Sequence, residues 1–153
     1  MNIKDLPFNS RGTIDLAKVT PISITTGDRA SVPLPPGAVK VNGDSWPDGK
    51  TYTGDVTLTW AHRNRSLQLG LALVQQDAAS VGAAPEGSYT IDVLIAGTVT
   101  RTATGITGTS FTYTHAQRLA DDANLAHTVQ FRITPANGAL VGTIRTTDSF
   151  VMN

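Results

Sequence analysis

GDVTLTWAHRNR, residues 54–65, is where the chain first declares its geometry. Val56, Leu58 and Trp60 fall on one side of an extended backbone and Thr57 and Thr59 on the other. That two-residue period marks a strand with one buried face. The basic tail His62-Arg63-Asn64-Arg65 reads as the polar exit of the strand. Arg63 and Arg65 are one strand period apart and can share a face. Two arginines so placed can clamp a phosphate or a carboxylate, or pin a long loop through local Asp side chains or backbone carbonyls.

Working outward, the same alternation recurs between turn signals. AVKVNG (38–43) is a first strand with Val39 and Val41 on one face, closed by Asn42-Gly43. SYTIDVLIAG puts Tyr89, Ile91, Val93 and Ile95 on one face and turns at Ala96-Gly97. VTRTATGI and TSFTYTH follow, the latter with Phe111 and Tyr113 together. AQRLADDANL (116–125) is mixed and fits one helical turn inside a loop. HTVQFRI places Val129, Phe131 and Ile133 inward, PANG (135–138) is a tight turn, and ALVGTIRTTDSF is the closing strand, with Gly142 marking a bulge. Residues 66–88 are ambiguous: alternating Leu67, Leu69, Leu71 and Leu73 suit a strand, but the stretch suits a short helix equally.

From Ala38 this makes about seven strands, and two facing antiparallel sheets would bury one face of each. The expected core is Val56, Leu58, Trp60, Tyr89, Ile91, Val93, Phe111, Tyr113, Val129, Phe131 and Ile133. Residues 1–35 alternate weakly and are interrupted by proline, so they read as an N-terminal arm or linker ahead of an all-β domain at 36–153. The arm's apolar positions (Leu6, Phe8, Ile14, Leu16, Val19, Ile22 and Ile24) are expected to pack on a neighbour or an open sheet edge, with VTPISIT (19–25) supplying a strand.

Composition narrows function. At 153 residues the chain can bury a sizeable core. Twelve basic residues balance twelve acidic ones, which gives no general pull toward nucleic acid or an anionic membrane. Only 16% of residues are charged and four are lysine, so the surface is mostly neutral and polar, as suits β-structure. Cysteine is absent, which removes disulfides, cysteine metal sites and thiol catalysis. No run approaches a membrane span, and MNIKDLPFNSRG lacks the apolar core of a secretory signal.

No catalytic motif stands out. His62, His115 and His127 form no metal signature, and Asp121-Asp122 with Asn124 lacks the closing Glu of a calcium loop. That segment reads better as a loop that caps and turns with its own side chains. There is no G-x-S-x-G elbow or Walker loop, and GITGTS (105–110) joins two strands rather than a strand to a helix. No enzyme, metal or cofactor is expected. Trp46 and Tyr52 are the aromatic residues expected at the surface, and with Arg63 and Arg65 they are the candidate contacts for a glycan or another surface.

Taken together, GDVTLTWAHRNR, YTIDVLIAGTVTRTATGITGTSFTYT and TVQFRITPANGALVG resemble the fibronectin type III-like domain of long-tailed phage tail-tip, baseplate or central-fibre proteins and their prophage or gene-transfer-particle relatives. The likeness spans roughly residues 36–148. It implies an immunoglobulin-like β-sandwich, a structural role in the virion tail after synthesis in the bacterial cytoplasm, and no catalysis. Its implied partners are other tail proteins or copies of this chain, and its alternative is a host-surface glycan or protein bound through the loops at 62–88 and 114–127. The resemblance departs at the fold's tyrosine corner, where Leu119 is followed by no Tyr.

Overall fold

A computed structural model describes residues 32–67 and 74–153, together with the short strand segments at 2–3, 8–9, 12–13 and 22–23. The chain divides into two compact units, Met1–Ser31 and Val32–Asn153, split just before Pro35-Pro36-Gly37. In the first unit β1 (Asn2–Ile3) pairs antiparallel with β4 (Ile22–Ser23), and β2 (Phe8–Asn9) with β3 (Gly12–Thr13). VTPISIT thus supplies a strand at Ile22–Ser23. The expected packing of the unit's apolar side chains lies outside the described residues.

Among its described residues the second unit is all-β apart from one short helix and a single 3-10 turn at Arg65–Leu67. Strands β5 (Gly37–Val41), β7 (Val56–Ala61) and β10 (Ser110–Tyr113) form an antiparallel sheet in the order β10-β7-β5. A second sheet runs β12-β11-β8-β9, from β8 (Ser88–Ile95), β9 (Thr98–Ile106), β11 (Val129–Asn137) and β12 (Leu140–Val141), and β13 (Arg145–Thr146) also pairs with β11. Hairpins set the registers. Ala96 and Gly97 both take positive φ, as a two-residue strand connection requires, and β8 and β9 pair from Ile95↔Thr98 outward. Gly138, at φ 57°, turns β11 into β12.

The alternation in GDVTLTWAHRNR holds: Val56, Leu58 and Trp60 are buried while Thr57 and Thr59 are half-buried. Side chains of both sheets meet in one cluster. Val41, Val56, Leu58, Trp60 and Tyr113 come from the three-stranded sheet, and Tyr89, Ile91, Val93, Val129, Phe131 and Ile133 from the other. Phe131 takes Phe111 and Tyr113 edge-on, and Phe111 is half-buried at the margin. On the opposite face of the second sheet Asp92 forms a rung across three strands. It accepts from Thr102 Oγ1 at 2.6 Å and from the Arg132 guanidinium at 2.7 Å. Burial alone would raise this carboxyl, but those hydrogen bonds outweigh it and hold Asp92 below its ordinary value.

The closing segment differs from expectation. ALVGTIRTTDSF is broken into β12 and β13, because the chain at Gly142 passes against other backbone: a Cβ there would sit 2.3 Å from the carbonyl oxygen of Pro33. Downstream, β14 (Val151–Met152) pairs in parallel with β6 (Thr51–Tyr52). This brings Phe150 and Met152, both fully buried, into the core beside the alternating positions expected there.

The helical turn expected near 116–125 is α1, His115–Asp121. Thr114 caps it: its side chain accepts from Gln117 N at 3.1 Å while Gln117 Oε1 accepts from Thr114 N at 3.0 Å. The T-x-x-Q spacing at 114–117 carries this signal. Arg118, one turn into the helix, is fully buried. Its guanidinium donates to the carbonyls of Asp122, of Asn124 at 2.8 Å and of His127 at 3.3 Å. Leu119, by contrast, is exposed.

Candidate functional site

The basic tail does not leave the molecule. His62 and Arg63 are as buried as the strand before them, at 4% and 6% exposure. His62 stacks flat on Tyr89 with its Nδ1 at 3.1 Å from the tyrosine hydroxyl, and Trp60 meets the same ring edge-on. Burial depresses the imidazole, keeping it neutral, and pushes the Tyr89 hydroxyl up to about 12.

Arg63 acts as a staple. Nη1 donates to the carbonyl of its neighbour His62 and to that of Ala79, and Nη2 donates to those of Gln75, Gln76 and Ala78, all between 2.9 and 3.2 Å. The guanidinium thus gathers the carbonyls of a single loop, 75–79. The loop is tied to β5 as well: Ala38 N donates to Gln76 O, and Gln76 Nε2 donates to Pro36 O at 2.9 Å. Gly37 makes room for this, since a Cβ there would lie 2.0 Å from Arg63 Nη2. Arg63 is therefore not a surface contact, and of the two roles open to the arginines it takes the loop-pinning one, through carbonyls. Arg65 does not join it. Its Nε donates to Val32 O at 3.2 Å, and its backbone N–H donates to Glu86.

The pinned loop forms one wall of a groove of about 470 Å³. The facing walls are Ala38, Val39 and Val41 of β5, the turn Asp44–Pro47, and Arg145–Asp148 at β13. Trp46 stands at this groove, 79% exposed. Tyr52 does not line it. Its hydroxyl donates to Asp44 Oδ2 at 2.8 Å, and its ring packs edge-on against Phe150, so Tyr52 supports the groove from behind. Lys50 bonds the other oxygen of Asp44 at 2.7 Å. The hydrogen bonds from Lys50 and Tyr52 hold Asp44 below its ordinary value, while burial and the nearby carboxylate raise Tyr52 to about 12. Of the four residues expected at a binding surface, the structure brings Trp46 to the groove and sets Tyr52 and Arg63 behind it.

The acidic pair Asp121-Asp122 splits. Asp121 receives the Arg101 guanidinium and the Tyr113 hydroxyl at 2.8 Å each. Asp122 turns its own loop, accepting from Asn124 N at 2.8 Å, and meets His127 Nδ1 at 2.5 Å. Burial would raise Asp121, but Arg101 and Tyr113 hold it below the ordinary carboxylate range; His127 does the same for Asp122. His115 lies elsewhere, its backbone N–H on Asp55. Among the described residues no group of three or more His, Asp or Glu is placed to hold a metal ion. No protein-family model matches the chain, and no curated protein matches it.

Proposed function

We propose that the unit Val32–Asn153 is an immunoglobulin-like module of the fibronectin type III kind, serving as a non-enzymatic structural part of a long phage tail, at the tip, baseplate or fibre. One observation carries the reading: the order in which the strands pair. Lettered along the chain, β5, β7 and β10 are A, B and E, and β8, β9, β11 and β12–β13 are C, C′, F and G. The pairing then reads A-B-E in one sheet and C′-C-F-G in the other. Immunoglobulin-type sandwiches divide A, B and E from C, F and G in the same way. The phrases that resemble the tail modules fall on B, on C through E, and on F with the turn into G, so wording and topology coincide. The Arg118 corner further supports the assignment. It fastens the E–F connection, where the tyrosine corner of such folds sits, through a guanidinium in place of a phenol.

Peptide mass spectrometry of tail particles purified by gradient centrifugation from the producing bacterium tests this. Peptides of this chain should co-sediment with the particles in constant ratio to the tail-tube protein. Their confinement to the soluble fraction would overturn the tail assignment.

A further inference from the structure

We propose that the groove between β5 and β13 is a saccharide-binding site with the Trp46 indole as its stacking platform. The chain has two tryptophans, and they are used in opposite ways: Trp60 is in the core at 4% exposure, while Trp46 is 79% exposed beside a concavity. A volume of about 470 Å³ lies within the range of small-ligand sites and suits roughly a disaccharide. A pyranose ring has an apolar C–H face and a rim of hydroxyls. It therefore needs a flat apolar surface flanked by planar groups that donate and accept in pairs. The groove supplies both, with the indole, Val39 and Pro47 on the apolar side and Gln75, Asp77, Arg145 and Asp148 as the planar polar groups. Among the described residues the side chains of Arg145 and Asp148 make no hydrogen bond or ion pair, and Asp77 has only a longer-range attraction to the Arg63 guanidinium, so their lone pairs and N–H groups can reach a ligand.

The chemistry argues against other occupants. Asp44 is already paired with Lys50, and the remaining carboxylates Asp77 and Asp148 outnumber Arg145 along the groove, which disfavours phosphate and with it nucleotides and anionic lipid. A quaternary ammonium needs an aromatic cage, and a single ring with Arg145 alongside does not make one. Arg63 enters as a positioning residue: by collecting the carbonyls of Gln75, Gln76, Ala78 and Ala79 it fixes the wall that carries Gln75 and Asp77. The site rests on these residues alone and holds whether or not the module sits in a tail.

The two tryptophans make the test self-controlled. ¹H–¹⁵N spectra of the full chain would be recorded against methyl glycosides of glucose, galactose, mannose, rhamnose and N-acetylglucosamine, against cellobiose and chitobiose, and against choline chloride. At least one saccharide should shift the Trp46 indole signal and the Gln75–Asp77 amides saturably, leaving the Trp60 indole unmoved. With one aromatic platform, Kd is expected on the order of 1 mM. Trp46→Ala and Asp77→Asn, both at exposed positions, should keep the dispersed spectrum and weaken binding about tenfold or more. No saturable saccharide shift, an undiminished shift in Trp46→Ala, or saturation by choline alone would each overturn the proposal.

Discussion

Two arginines are buried in this domain, and they hold their loops over different ranges. Arg118 sits on a capped helix and reaches carbonyls four, six and nine residues ahead. Arg63 lies two residues beyond the core strand β7 and reaches carbonyls 12 to 16 residues ahead. Neither depends mainly on a carboxylate: the nearest for Arg118 is Asp122 at 3.9 Å, and for Arg63 all five bonds go to backbone. A buried cation must be matched by hydrogen bonds, and clustered carbonyl dipoles match it where the chain can be gathered around it. The difference lies in what is gathered. Arg118 closes a short connection that helix α1 already preorganises, whereas Arg63, together with the bonds between Gln76 and the start of β5, holds loop 75–79 on the domain and so shapes a surface.

The contrast breaks most readily at Arg118. Arg118→Ala should cost about 3–5 kcal/mol, since it empties a fully buried position and leaves carbonyls without donors. Urea denaturation measures it, and a loss below about 1 kcal/mol would mean that the corner closes without the guanidinium. Arg63→Ala should cost less, about 1–3 kcal/mol, because the loop it frees can hydrate. Its distinct signature is local: amide exchange at residues 75–81 should quicken while the protection of β8 and β11 stays unchanged. Equal protection in both states would dissolve the staple.

Smaller effects sharpen the account. Thr114→Ala removes the reciprocal cap of α1 and should cost about 1 kcal/mol, partly mimicking Arg118→Ala because it loosens the helix that aims the guanidinium. Last comes pH. His62 has a folded pKa depressed below 6.5, so the unfolded chain binds the proton first. Its contribution to stability is therefore complete at neutral pH and is lost as pH falls below about 6.5. The depressed carboxylates Asp92 and Asp121 add to the loss only further into acid. Denaturation midpoints between pH 7 and 5 should fall for the native chain and stay flatter for His62→Gln. Parallel slopes would assign the acid loss elsewhere.

Local patterns were readable where the period was regular. Val56-Leu58-Trp60, Tyr89-Ile91-Val93 and Val129-Phe131-Ile133 alternate cleanly and all enter the core. Asn42-Gly43, Ala96-Gly97 and Gly138 mark turns by their need for positive φ. What stayed hidden was long-range. Nothing near Thr51–Tyr52 announces that Val151–Met152 will lie parallel to it, so the sequence alone neither places Phe150 and Met152 in the core nor draws Tyr52 away from the surface position expected for it. His62 and Arg63 look like a polar exit because charge usually marks the surface, and only the carbonyls of loop 75–79 reverse that sign. Of the candidate site, Trp46 was legible as an exposed aromatic. The groove beside it was not, since its walls come from four separated stretches.

Gly37 and Arg63 have a consequence for how this sequence can change. The absent Cβ at 37 leaves space that the guanidinium fills, and that guanidinium is pinned and cannot step aside. The two positions are therefore epistatic. Any side chain at 37 is harmful while Arg63 stays, and becomes tolerable once 63 has shrunk. Mutational drift must cross this pair in a fixed order, with the arginine changing first.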